Sequence, residues 1–150
     1  MKTFDPKGKP KSWSIEITPK ESKTISCFST FLDCDTKVNV TNLPKTSVTD
    51  IFATVEKLKH DGMNPVPHIT ARTVIDEDDL ARIVEKYATL EVSEVLIIAG
   101  NKFQPAGSFS SSSDLISSGV FEHFGIINLG VAGHPEGSPD ITQQQLEDAI

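Results

Sequence analysis

Along this chain the spacing of apolar residues switches from every second position to every third or fourth, and back, several times. In Trp13 to Ile17 (W-S-I-E-I) apolar and polar residues alternate: Trp13, Ile15 and Ile17 share one face of a strand, Ser14 and Glu16 the other. From Lys20 to Leu32, Ile25, Phe28, Phe31 and Leu32 recur at helical intervals, which predicts a first helix with one apolar stripe. Val38 to Thr41 (V-N-V-T) is a short second strand, stopped by Asn42, Leu43 and Pro44. Ser47, followed by Asp50, is a capping signal; Ile51, Val55 and Leu58 then form the buried side of a second helix ending at Asp61-Gly62. Asn64 to Ala71 (N-P-V-P-H-I-T-A) reads as extended, with its prolines tolerated at the strand entry.

Asp76 starts a third helix whose buried side is Leu80, Ile83, Val84 and Tyr87. The unbroken apolar run Val95 to Ala99 (V-L-I-I-A) predicts a parallel strand covered on both faces. A polar loop, Gly100 to Ser113, leads to a helix cap at Ser113 or Asp114. The serines Ser110 to Ser113 also suit a phosphate at a helix start, although the cap is the preferred reading. Leu115 to Phe124 is a short helix interrupted by Gly119, Ile126 to Val131 a fifth strand, and Thr142 to Ile150 a fifth helix.

Strands and helices thus alternate, with strand starts roughly 25–30 residues apart, the signature of an α/β fold with a parallel sheet. Right-handed crossovers bring the carboxyl ends of such strands to one side. Glu16, Thr41, His68, Asn101, His134 and Glu136 all lie at or just past those ends. Gly130 to Asp140 (G-V-A-G-H-P-E-G-S-P-D) reads as a loop leaving a buried strand, where α/β folds bind ligands. The same residue types also make ordinary connections, and the shared placement of the polar residues favours the ligand-binding reading. Glu16 either faces water or a barrel interior; in the second case desolvation raises its pKa.

The chain has 150 residues, 37% hydrophobic and 23% charged, enough for one globular domain. Residues 1–12, polar and punctuated by Pro and Gly, are expected to be a flexible lead-in, with residues 13–150 as the folded part. A net charge of −7 argues against nucleic acid or an anionic membrane as partner. No segment has the length of a membrane span, and the start lacks the apolar core of a secretory signal. Cys27 and Cys34 would lie two turns apart on one side of the first helix, too far to bridge. They read as reduced packing residues of a cytoplasmic protein, and the scattered histidines do not suggest a metal site.

Several segments, in order, resemble the methylenetetrahydrofolate reductase family. S-I-E-I-T-P at 14–19 looks like that family's first-strand Phe-Glu-Phe-Phe-Pro-Pro pattern, and V-N-V-T at 38–41 is similar to its second strand ending in Thr. P-H-I-T-A at 67–71 looks like Pro-His-Leu-Thr, L-I-I-A-G-N at 96–101 like the strand end Leu-Arg-Gly-Asp, and the 130–140 loop like Tyr-Pro-Glu-x-His-Pro. The resemblance spans roughly residues 13–150. It implies a (β/α)8 TIM-type barrel with FAD at its carboxyl face. NAD(P)H would reduce the flavin, which would pass hydride to 5,10-methylenetetrahydrofolate to give 5-methyltetrahydrofolate.

On this resemblance Glu16 is the general acid and touches the folate, together with Asn101. Thr41, His68, Ala99, Gly100, Asn101, His134 and Ser138 occupy flavin-side positions. Four of these depart from the family pattern: Asn101 replaces Asp, Ala99 replaces Arg, His134 replaces Tyr and Ser138 replaces His. A full barrel needs about 250 residues, so only about the first five β-α units are expected here. The open sheet edge would then be covered by another copy, by a second polypeptide, or by the rest of a longer protein. Two other readings stand beside this one. One is a non-catalytic binding or assembly module derived from the family; the other is an open flavodoxin-like sheet holding FMN on the serine loop.

Overall fold

A computed structural model describes residues 13–100, 104–126, 128–132 and 144. The chain divides into two compact units, Met1–Val66 and Pro67–Ile150, the division falling within the third strand. The fold is α/β, with five strands among the described residues and parallel pairing in every described ladder. The expected lead-in, 1–12, lies outside the described residues, as does the expected fifth helix apart from Gln144.

In the first unit β1 (Ser14–Ile17) runs parallel to β2 (Lys37–Val40), with Ile15 opposite Val38, Glu16 opposite Asn39 and Ile17 opposite Val40. Ile17, Val38 and Val40 are buried, as are Ile51, Val55 and Leu58 of α2 (Val48–His60), which packs on β2. Trp13 precedes the strand and is exposed. The capping signal ahead of α2 forms as expected: the Ser47 side chain accepts the Asp50 N–H at 3.1 Å. After the helix, Gly62 at φ +81° turns the chain, and the Asn64 N–H donates to the Thr36 carbonyl at 2.9 Å.

The helix expected over 20–32 does not form. Only α1 (Pro19–Ser22) is α-helical, opened by a capping box between Thr18 and Glu21. Beyond it, groups that an extended helix would pair internally are taken by α2 and by Asp61 at its carboxyl end. Lys57 donates its ammonium to the carbonyls of Ser22, at 3.0 Å, and Ile25. The Asp61 carboxylate accepts the Phe28 N–H at 2.8 Å. Phe28 opens a single 3₁₀ turn, Phe28–Thr30, and is buried with the Lys57 ammonium 5.5 Å from its ring centroid. Phe31, expected on the buried stripe, is 76% exposed. Cys27 and Cys34 therefore share no helix; both are free, and Cys34 is exposed.

In the second unit β3 (Asn64–Thr70, from Pro67 onward), β4 (Glu94–Ile98) and β5 (Asn128–Val131) are parallel in that order. The register places His68, Leu96 and Gly130 on one face, and Ile69, Ile97 and Val131 on the other. β4 is not covered equally on both faces, as its apolar run predicts: Val95 and Ile97 are fully buried, Leu96 and Ile98 only partly. Helix α3 (Glu77–Thr89), capped by Asp76, buries Leu80, Val84 and Tyr87 and packs on α5 (Val120–His123). Ile83, expected among them, is half-buried.

Helix α4 (Ser112–Ser117) begins earlier than expected, and its cap is Ser111. Asp114 causes the shift, because its carboxylate reaches back to the amides of Ser110 and Ser111 at 2.7 and 2.9 Å. Gly119, at φ +73°, separates α4 from α5 where the sequence places the break.

Candidate functional site

The residues expected at the strand ends fall in both units, and each set has its own geometry. In the first unit Glu16 stands beside Asn39, on the face of β1–β2 away from buried Ile17, Val38 and Val40. It is exposed, so the described residues supply little of the desolvation that a carboxyl acid needs near neutral pH. Thr41 is buried just past β2, where its N–H donates to the Ile17 carbonyl at 3.1 Å and its hydroxyl reaches the same oxygen at 3.4 Å. The hydroxyl thereby extends the ladder by one contact.

In the second unit His68 and Thr70 are 7% and 5% exposed and share a face of β3, opposite Leu96 and Ile98 in β4. The Ala99 carbonyl accepts the Arg72 N–H at 3.1 Å, which ties the end of β4 to the turn after β3. Gly100 has φ +88°, and a Cβ added there would lie 2.1 Å from Thr70 Cγ2. Both the backbone conformation and the space therefore demand glycine. The result is a strand end whose backbone packs directly against a buried threonine. Asn101, His134, Glu136 and Ser138 lie outside the described residues.

The serine stretch is occupied internally. The Ser110 N–H and hydroxyl and the Ser111 N–H all point to one oxygen of Asp114, at 2.7, 2.8 and 2.9 Å. Burial alone would raise the Asp114 pKa; these donors outweigh it and hold the carboxyl below its usual 3.8. A carboxylate already fills the position that a phosphate would take.

A depression of about 350 Å³, lined by Glu94, Asn128, Leu129 and Gly130, opens elsewhere in the second unit. Glu94 and Asn128 are the first residues of β4 and β5, so it lies toward the amino ends, away from Ala99 and Gly100. No group of three or more His, Cys, Asp or Glu among the described residues is placed to hold a metal ion. No helix among them is long and apolar enough to cross a membrane.

Thr70 is the site residue that sequence reasoning missed. The signal was present in P-H-I-T-A, where period-two alternation places it on the same face as His68. No protein-family model matches the chain.

Proposed function

We propose that this chain is the flavin-side, amino-terminal part of a cytoplasmic (β/α)8 TIM-type reductase resembling methylenetetrahydrofolate reductase. It binds FAD at the carboxyl ends of its strands, and its open edge is completed by further β-α units, a second polypeptide or another copy. The observation that carries this reading is the pairing of Gly100 with Thr70, on the face that also holds His68. Glycine at φ +88° lets the end of β4 close directly onto the Thr70 methyl, which fixes Thr70 on the face it shares with His68, beside the strand end where the ring would bind.

The described residues fit the neutral ring of a flavin better than its diphosphate. Ala99 brings no charge, and Arg72 turns its Nε to the Ser110 carbonyl at 3.0 Å. FAD, when bound, supplies hydride transfer from NAD(P)H to the folate methylene group. In this reading Glu16 donates the proton to the folate, and closure of the open edge supplies the desolvation that its role requires.

The test is optical and kinetic. Purified protein, or protein titrated with FAD, should be yellow with close to one flavin per completed site. Glu16→Gln should leave flavin reduction by NAD(P)H intact and block transfer to folate. Colourless protein that ignores FAD, or equal loss of both half-reactions, overturns the assignment.

The exposure of Glu16 and the neutral Ala99 favour a second reading, a non-catalytic binding or assembly module of the same descent. Light scattering combined with FAD and folate titrations separates the two. A stable assembly that binds neither ligand supports the module.

A further inference from the structure

Thr70 closes β3, and its hydroxyl oxygen is buried with no hydrogen-bond partner. Buried polar side chains are nearly always paired, because an unmade bond leaves the full desolvation cost in place. The neighbouring groups do not relieve it. Thr73 directs its hydroxyl to the Thr70 carbonyl at 2.7 Å, and the Ala99 carbonyl is taken by the Arg72 N–H.

The orientation of the side chain follows from Gly100. A Cβ built there meets Thr70 Cγ2 at 2.1 Å and Thr70 Cβ at 3.6 Å, with no contact to the hydroxyl oxygen. The methyl is turned toward Gly100 and the hydroxyl away from it. Thr70 also shares its face with His68, so hydroxyl and imidazole belong to one side of the strand end.

We infer that Thr70 is a ligand-contacting residue whose missing hydrogen bond is completed by the polar edge of the bound flavin ring. That edge alternates N–H and C=O groups, and a hydroxyl serves either because it both donates and accepts. The oxygen is closed off from solvent, so engagement requires a small opening at the ends of β3 and β4. This inference rests on the flavin reading above and adds to it a residue that selects for a hydrogen-bonding ring edge.

Thr70→Val keeps the branched shape and the methyl against Gly100 and removes only the hydroxyl. Two measurements are made on flavin-stripped protein: thermal melting without ligand, and FAD titration followed by quenching of flavin fluorescence. The variant should melt a few degrees higher than wild type, since an unpaired buried hydroxyl is gone. It should bind FAD roughly 10-fold more weakly. Thr70→Ser, which keeps the hydroxyl, should bind FAD within about twofold of wild type while melting lower.

If Thr70→Val melts below wild type with its fold intact by circular dichroism, the hydroxyl already has a partner, such as a trapped water, and the inference fails. It fails equally if wild type binds FAD and Thr70→Val binds it as tightly. Wild-type protein that binds no FAD overturns the flavin reading and this inference together, a pattern distinct from the other two.

Discussion

Replacing Gly107 by alanine tests how the segment after β4 is held. Residues 104–111 cross the turn that follows β3: the Ala106 N–H donates to the Arg72 carbonyl at 3.0 Å, and the Ser108 N–H to the Ile75 carbonyl at 3.3 Å. A Cβ on Gly107 would stand 1.6 Å from the Ile75 oxygen, 2.4 Å from its carbonyl carbon and 2.8 Å from its Cα. All three are backbone atoms, so no side chain can swing aside, and the segment must lift. Lifting breaks two backbone hydrogen bonds, about 1 kcal/mol each. It also uncovers Phe109, now 6% exposed, at about 1.5–3 kcal/mol. Asp114 still anchors Ser110, so only about one residue's freedom, about 1–2 kcal/mol, is regained. The net loss is about 2–4 kcal/mol. Urea denaturation, with a slope of about 2 kcal/mol/M, should show the midpoint about 1–2 M lower.

Gly119→Ala is the matched control. Gly119 has φ +73° and nothing within 4 Å of an added Cβ, so only the left-handed backbone is strained. Its cost should be about 1–2 kcal/mol. Gly107→Ala within about 0.5 kcal/mol of wild type, or costing less than Gly119→Ala, refutes the reasoning.

Two further changes probe the caps. Ser47→Ala removes the side-chain acceptor of the Asp50 N–H, leaving the Ser47 carbonyl, and should cost about 1 kcal/mol, read as a lower melting temperature by circular dichroism; Ser47→Thr should recover most of it. Asp114 titrates below its ordinary 3.8 when folded, so its contribution to stability is complete above the unfolded pKa and is lost as pH falls through the folded one. Urea midpoints taken between about pH 5 and pH 2.5 should fall more steeply for wild type than for Asp114→Asn. Identical slopes, or an Asp114 carboxyl titrating at or above 3.8 by NMR, contradict the arrangement.

The elements legible in the sequence are those whose signals act over one helical turn or one pleat. Ser47 and Asp76 cap α2 and α3 because each needs only the amide a few residues ahead. Gly62 and Gly119 end their helices because the left-handed backbone is a property of the residue itself. Period-two spacing placed β1 and an unbroken apolar run placed β4, and the alternation in N-P-V-P-H-I-T carries the signal that His68 and Thr70 share one face. The tertiary structure decided what depends on distant partners. The apolar stripe of 20–32 is helical in spacing, yet Lys57 of a later helix and Asp61 at its end claim the groups that a helix would have used. Ile75 makes Gly107 obligatory, and Thr70 does the same for Gly100, although in each case the two residues are far apart in the chain. The exposure of Glu16 and the unpaired hydroxyl of Thr70 are likewise outcomes of packing. A local pattern specifies which groups of a segment seek partners; only the folded chain determines which of them are met, and by what.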